Sequence, residues 1–431
     1  MDGDEMRFAR IILSALTRLI EAPVAFLLER FLRLKSLLNP SAWPNAKRID
    51  AVHEGNLCHA SGEVAVFAAS YTETYPLFFM NLFEALKAAR IDVVIVSNRA
   101  LSAQNISFLQ SHCRWLLIRK NIGRDFGAYA DALRFLGERN VVTDRLFFFN
   151  DSLYYRDVDH LIPLLHDLRS GDFTCATASL SPIPHAQSFC MSFSRKTCSH
   201  PLFRKYWATY FPIDSRRWAI SRGELGLSII LRKANFVPQP VFSSLDVGRA
   251  LLSAQKSGDR ELVAALPQFS AIRSILSDYA VRPSSASKGA GLSNLYASLD
   301  YLSSQISAFI EKLSLDAARP SPGETSSVGH VSGSESLRGV SDFFLTEDLL
   351  RELAAHSPIH SCGLLWWRHT NFPLMKRDIL FRGVFSALQL ELFFGQDPSH
   401  LSNLMKHDLS RRQEGRFLVG WEGFLFRKGF L

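Results

Sequence analysis

Between Glu63 and Asn150 the chain passes through four short apolar runs, Val64–Ala69, Val93–Ser97, Trp115–Arg119 and Arg145–Asn150, none of which alternates apolar with polar residues. A strand without alternation is covered on both faces, as in a parallel sheet flanked by helices. The segments between them, Leu77–Ala89, Ala103–Ser111 and Phe126–Leu136, read as helices, so the order is repeatedly β-α-β. This predicts an α/β fold built on an open, mostly parallel sheet. Beyond it, Leu161–Leu168 reads as a helix, Phe173–Ala178 and Gln187–Phe193 as strands, and Ser221–Lys233 as an amphipathic helix.

The flanking regions divide the chain further. Residues 1–55 are expected to form an N-terminal amphipathic helical segment, 56–280 the α/β domain, 281–340 a Ser/Gly/Pro-rich linker, and 341–431 a helical, aromatic extension. Within the linker, Leu295–Leu315 has helical periodicity; the extension carries Trp366, Trp367, Phe372, Phe393 and Phe394. Ile11–Leu38 is apolar but interrupted by Arg18, Glu21, Glu29, Arg30 and Arg33, so it lacks the ~20 uninterrupted apolar residues of a membrane span. No signal-peptide pattern is present either. Such a helix packs on its own domain or lies in a membrane interface, and the sequence leaves both open.

Hydrophobic content of 47% with 21% charged residues excludes wholesale disorder. The formal charge of +8 suits anionic nucleotides, acidic lipid or nucleic acid equally. No recognition helix, zinc finger or aromatic RNA-binding strand accompanies it, so nucleic acid is not an expected partner. Six cysteines without a CxxC pair or zinc-site spacing read as reduced thiols of a cytoplasmic protein.

Ligands of open α/β sheets bind beyond the carboxyl ends of the strands, and the unusual polar sequences fall there. Asn98 follows the second run. Ile118–Leu133 passes from a strand through Asn121-Ile122-Gly123-Arg124-Asp125 into a helix, whose N-terminal amides suit a phosphate. Gly123 and Gly127 permit close backbone approach, Arg124 can neutralise a diphosphate, and Asp125 can bind a sugar hydroxyl or simply cap the helix. Asn150-Asp151-Ser152 ends the fourth run, where Asp151 is a candidate metal ligand and the group alternatively a plain Asx-turn. His185, Gln187 and Glu224 form a third region, and Glu224, Asp151 and His185 are the candidate general bases.

At these residues the chain resembles the rhamnan synthesis protein F family of bacterial glycosyltransferase-like proteins. The similarity rests on the Val94–Asn98 strand end, Arg119-Lys120-Asn121-Ile122-Gly123-Arg124-Asp125-Phe126-Gly127-Ala128-Tyr129, Asn150-Asp151-Ser152, His185-Ala186-Gln187-Ser188 and Gly223-Glu224-Leu225-Gly226. A weaker likeness covers Asn371-Phe372-Pro373-Leu374-Met375-Lys376-Arg377-Asp378. The resemblance implies a GT-A-like fold, a nucleotide-diphospho-sugar donor, and a lipid-linked or growing-glycan acceptor in surface polysaccharide synthesis. It also implies work at the cytoplasmic face of the inner membrane, with contact to the membrane surface. Members of that fold hold Mg or Mn through an Asp-x-Asp strand end; one carboxylate at 150–152 leaves dependence on a divalent cation open. A non-catalytic partner with the same fold and a sugar-phosphate transferase stand as alternatives.

Overall fold

The four apolar runs form the centre of one sheet. In this computed structural model, residues 23–69, 77–179, 183–243 and 370–381 are described, with residues 246, 359, 363, 366, 367 and 405. The linker at 281–340, the helical pattern at Leu295–Leu315 and most of the extension beyond 341 lie outside the described residues.

A helix over 23–38 (α1) leads to strand β1 (Ile49–Glu54), then β2 (Glu63–Ala69), α2 (Leu77–Ala88), β3 (Asp92–Ser97), α3 (Ala103–Gln110), β4 (Trp115–Arg119), α4 (Arg124–Glu138) and β5 (Arg145–Asn150). Next come β6 (Leu153–Tyr155), α5 (Val158–Asp167), β7 (Phe173–Cys175), β8 (Ala178–Ser179), β9 (His185–Ala186) and β10 (Cys190–Ser194). Helices α6 (Arg195–Ser199), α7 (Pro201–Thr209), α8 (Arg216–Trp218) and α9 (Leu225–Lys233) precede β11 (Gln239–Pro240). From the extension, β12 (Leu374–Lys376) and α10 (Asp378–Phe381) are described.

The main sheet has the order β1-β4-β3-β2-β5-β10-β7-β11. Strands β4, β3, β2 and β5 run parallel; β1 and β10 join antiparallel on either side. Along β2, Ala65, Phe67 and Ala69 face a core shared with α2, α3 and α5, while Val64, Val66 and Ala68 face the core under α4, α7 and α9. All six are buried, which is why the run does not alternate. The chain goes outward through β3 and β4, then returns to the other side of β2 as β5, with α4 crossing on the opposite face from α2 and α3. The carboxyl ends of β2 and β5 therefore meet at a reversal of strand order, where such sheets open a crevice.

Three local details depart from the sequence expectation. An edge strand, β1, precedes Glu63; its Ile-Asp-Ala-Val-His-Glu sequence carries little periodic signal. The strand expected at Gln187–Phe193 begins only at Cys190, because 185–186 pair with β8 in a separate ribbon. Ser221–Lys233 is regular only from Leu225: Ala219–Glu224 is a π-turn. Its cause is packing, since Gly223 lies against the Phe126 ring and the Tyr206 hydroxyl donates to the carbonyls of Arg222 (2.8 Å) and Gly223 (3.2 Å).

Candidate active site

The connection from β4 to α4 is held from beneath. Gly123 (φ +78°), which precedes α4, and Arg124 (φ +54°), its first residue, both take left-handed backbone. Arg119 is fully buried and donates through Nη2 to the Ile122 carbonyl (2.6 Å), through Nη1 to Asn98 Oδ1 (2.5 Å) and through Nε to Asp131 Oδ2 (2.7 Å). Asp131 in turn accepts from Arg48 (Nη2 to Oδ1, 2.6 Å), a second fully buried guanidinium. Burial pulls Arg119 below its ordinary pKa, and Asp131 opposes that shift. One set of charges thus fixes the ends of β3 and β4 and the first turn of α4. A Cβ on Gly127 would lie 2.1 Å from the Ile122 carbonyl oxygen, and one on Gly123 2.2 Å from Pro212 Cβ. The close approach that both glycines permit is to the protein's own backbone and proline.

Above this base, polar side chains from four separate segments converge. The Asp125 carboxylate accepts from Asn150 Nδ2 (3.1 Å) and Ser188 Oγ (3.3 Å) at one oxygen and from the Phe126 amide (3.0 Å) at the other. Ser188 Oγ lies closer to Glu224 Oε1, at 2.6 Å, and the Ser188 amide donates to that same oxygen at 3.1 Å. The hydroxyl has one proton, so its short contact to Glu224 is the stronger bond. His185 places Nε2 3.9 Å from Glu224 Oε2; its Nδ1 faces the Ile183 carbonyl at 2.7 Å and must carry the proton, because a carbonyl only accepts. Burial raises the Asp125 pKa, and the nearby Glu224 raises it further.

The strand end is equally organised. Asn150 Oδ1 accepts from the Ser152 amide (3.1 Å) and hydroxyl (2.5 Å), and the Tyr155 hydroxyl donates to the Asn150 carbonyl (2.6 Å). Tyr129, stacked on Phe148, donates to the carbonyls of Phe149 (3.0 Å) and Ser188 (3.2 Å), joining β5 to the Ser188 segment. The Asp151 amide donates to the Ala68 carbonyl at the end of β2 (3.1 Å). From the distant extension, β12 pairs with β6, and Lys376 Nζ comes 2.7 Å from Ser152 Oγ.

Of the residues expected from sequence, Asp125, Asn150, Ser152, His185 and Glu224 are linked in this network. Asn98 and Gly127 belong to its support. Asn121 is exposed, and Arg124 is partly exposed with its Nε 3.7 Å from Asp214. Gln187 is buried, with its Oε1 accepting from Thr177 Oγ1 (2.7 Å). Sequence reasoning assigned no role to Ser188, Lys376 or the Arg48–Asp131–Arg119 group. Ser188 and Lys376 both lie within the segments that carry the family resemblance, but nothing local marks which polar residue of such a segment faces a partner.

A divalent cation needs several oxygen or nitrogen ligands. At Asn150-Asp151-Ser152 there is one carboxylate, with the Lys376 ammonium beside it, and among the described residues no three His, Cys, Asp or Glu side chains gather to hold a metal. Among the described residues, these side chains alone do not complete the coordination of a divalent cation, which at a single carboxylate also needs phosphate and water oxygens. A groove of about 800 Å³ lined by Arg134, Asn140, Arg195 and Trp207 lies at the amino end of β5, away from this network.

The chain is 30% identical over 178 residues to the uncharacterised protein y4gN of Sinorhizobium fredii, an alignment covering 40% of this chain and 46% of the relative. It spans less than half the length of that relative. Among solved structures it is similar to a protein assigned as a nucleotide-diphospho-sugar transferase from Desulfovibrio desulfuricans, at TM-score 0.30 and 11% identity, covering 42% of this chain and 80% of that one. It is also similar to the glycosyltransferase GlyE of Streptococcus pneumoniae, at TM-score 0.25 and 13% identity, over 46% and 50% of the two chains. Residues 93–253, which contain α4, Asn150, Ser188 and Glu224, match the model of the rhamnan synthesis protein F family, the same family that the motifs resemble.

Proposed function

We infer that the chain is a glycosyltransferase that takes a sugar from a nucleotide-diphospho-sugar in the crevice at the carboxyl ends of β2 to β5. The observation that carries this reading is the linked set Asp125, Asn150, Ser188, Glu224 and His185, drawn from four segments to the point where the strand order reverses. Paired carboxylates with a bridging hydroxyl suit binding of sugar hydroxyls and removal of a proton. In the step, the acceptor hydroxyl oxygen attacks the anomeric carbon while the bond to the diphosphate breaks. The electron pair leaves with the diphosphate, and the hydroxyl proton passes to Glu224. Asp125, raised in pKa, orients the sugar through hydrogen bonds.

The family match supports rhamnose as the sugar and a surface polysaccharide as the product. A lipid-linked or glycan acceptor at the inner face of the membrane agrees with the exposed side chains of Phe26, Leu27, Phe31, Leu34 and Leu38 on α1.

Binding of uridine, deoxythymidine, guanosine and cytidine diphosphates, followed by thermal shift, tests the donor site. One nucleotide is expected to raise the melting temperature selectively. Glu224→Gln should lower kcat by roughly 10²–10⁴ and leave donor affinity within about twofold. An unchanged kcat would remove Glu224 as the base. Absence of any nucleotide binding would mark a non-catalytic partner, and release of a nucleoside monophosphate a sugar-phosphate transferase.

A further inference from the structure

The extension is far from the family segment in sequence, yet β12 adds to β6 immediately after the Asn150–Ser152 strand end. Leu374 pairs with Tyr155, Met375 with Tyr154 and Lys376 with Leu153, and Leu374 and Met375 are fully buried. The next residue secures the same turn: the Arg377 amide donates to the Ser152 carbonyl (3.1 Å) and Arg377 Nη1 to the Asp151 carbonyl (3.3 Å). On the other side, the Arg156 amide donates to the Pro373 carbonyl (2.9 Å). These bonds fix Lys376 in register.

Its ammonium is therefore aimed at a defined place. It sits 2.7 Å from Ser152 Oγ and 4.4 Å from the centroid of the Phe189 ring, between the β5 strand end and the Ser188 segment. Its charge also reaches Asp125, whose carboxylate it favours. A lysine held this way gives up much of its side-chain rotamer freedom. A cation at the strand end of a parallel sheet, beside a network that suits a sugar, is what a departing diphosphate requires.

We propose that Lys376 binds the diphosphate of the nucleotide-sugar donor and neutralises the charge that develops on it, so that the C-terminal extension completes the donor site. As the bond from the anomeric carbon to the diphosphate oxygen breaks, the electron pair stays on that oxygen and the Lys376 ammonium donates a hydrogen bond to it, keeping its own proton. Ser152, bonded to Asn150, orients the ammonium.

This rests on the glycosyltransferase reading, and the test separates the two. Full-length wild type, Lys376→Met, Lys376→Arg and Ser152→Ala are titrated calorimetrically with the four nucleoside diphosphates and the matching monophosphates, each with chelator or with manganese. Wild type should bind one diphosphate equally well in chelator and in manganese. Lys376→Met, which keeps the stem against Phe189, should bind that diphosphate roughly tenfold more weakly with its monophosphate affinity unchanged. Lys376→Arg should retain most of the binding, and Ser152→Ala, which leaves the β6–β12 pairing in place, should lose several-fold.

Equal weakening of mono- and diphosphate in Lys376→Met would make Lys376 structural and overturn the proposal. Unchanged diphosphate binding in Lys376→Met, or in Ser152→Ala should the first variant fail to fold, would overturn it too. So would wild-type binding that disappears in chelator and returns with manganese. Failure of the wild type to bind any of the nucleotides would overturn the glycosyltransferase reading itself.

Discussion

Asp125 sits where ionisation is disfavoured, because burial and Glu224 both raise its pKa above the ordinary value of 3.8. In the unfolded chain the same carboxyl loses its proton earlier. The folded state then holds more protons across the window from 3.8 up to the raised value, so stability is present below that window and is lost as pH rises through it. Asn cannot titrate, and its amide can donate to Glu224. Asp125→Asn should therefore melt higher than wild type at pH 7, with a smaller difference at pH 4, while sugar transfer falls by at least ~10²-fold. Calorimetry at the two pH values checks it. A variant that melts lower than wild type at pH 7 would mean that Asp125 is retained for stability.

Helix α4 owes its position to charges below it. Asp131 lies between Arg48, just before β1, and Arg119, at the end of β4, and all three side chains are buried. Desolvating three charges costs more than any one pair returns, so the group's value lies in being complete. Asp131→Ala would leave two guanidiniums buried without their carboxylate. It should lower stability by about 3–5 kcal/mol in urea unfolding, with wild-type slope. A loss below about 1 kcal/mol would assign the work to the backbone carbonyls that Arg48 also binds, those of Ser41 and Trp43. The same group explains Asn98: its side chain is bonded to Arg119 and so reports the geometry of the turn as well as the end of β3.

Across the molecule, the sheet buries its apolar surface on both faces, but α1 does not. Ala25 and Glu29 face inward, with Glu29 paired to Arg217 (3.2 Å) and Arg33 lying over Trp218. Phe26, Leu27, Phe31, Leu34 and Leu38 are each more than half exposed, with Arg30 and Lys35 among them. Among the described residues no helix is long and apolar enough to cross a membrane. A row of this kind suits the interface of an anionic bilayer, where each buried Phe or Leu contributes about 1.5–3 kcal/mol. The full chain should sediment with vesicles containing phosphatidylglycerol. The double substitution Phe31→Asp with Leu34→Asp should reduce that binding at least ~10-fold without changing the melting temperature. Equal binding by both proteins would assign the apolar face to something other than lipid.

The sequence by itself determined the α/β class, the parallel centre of the sheet and the strand ends on which a site could lie. Those features are local: a run buried on both faces shows as unbroken apolar residues, and a strand that ends in Asn-Asp-Ser shows where it ends. The tertiary structure decided which polar residues meet. Ser188 joins Asp125 to Glu224, Arg119 and Asp131 support the turn, Gln187 turns inward to Thr177, and Lys376 arrives at Ser152 from 224 positions along the chain. Hydrogen bonds and ion pairs depend on distance in space, and a single sequence carries no periodic signal for contacts between elements that fold together from far apart.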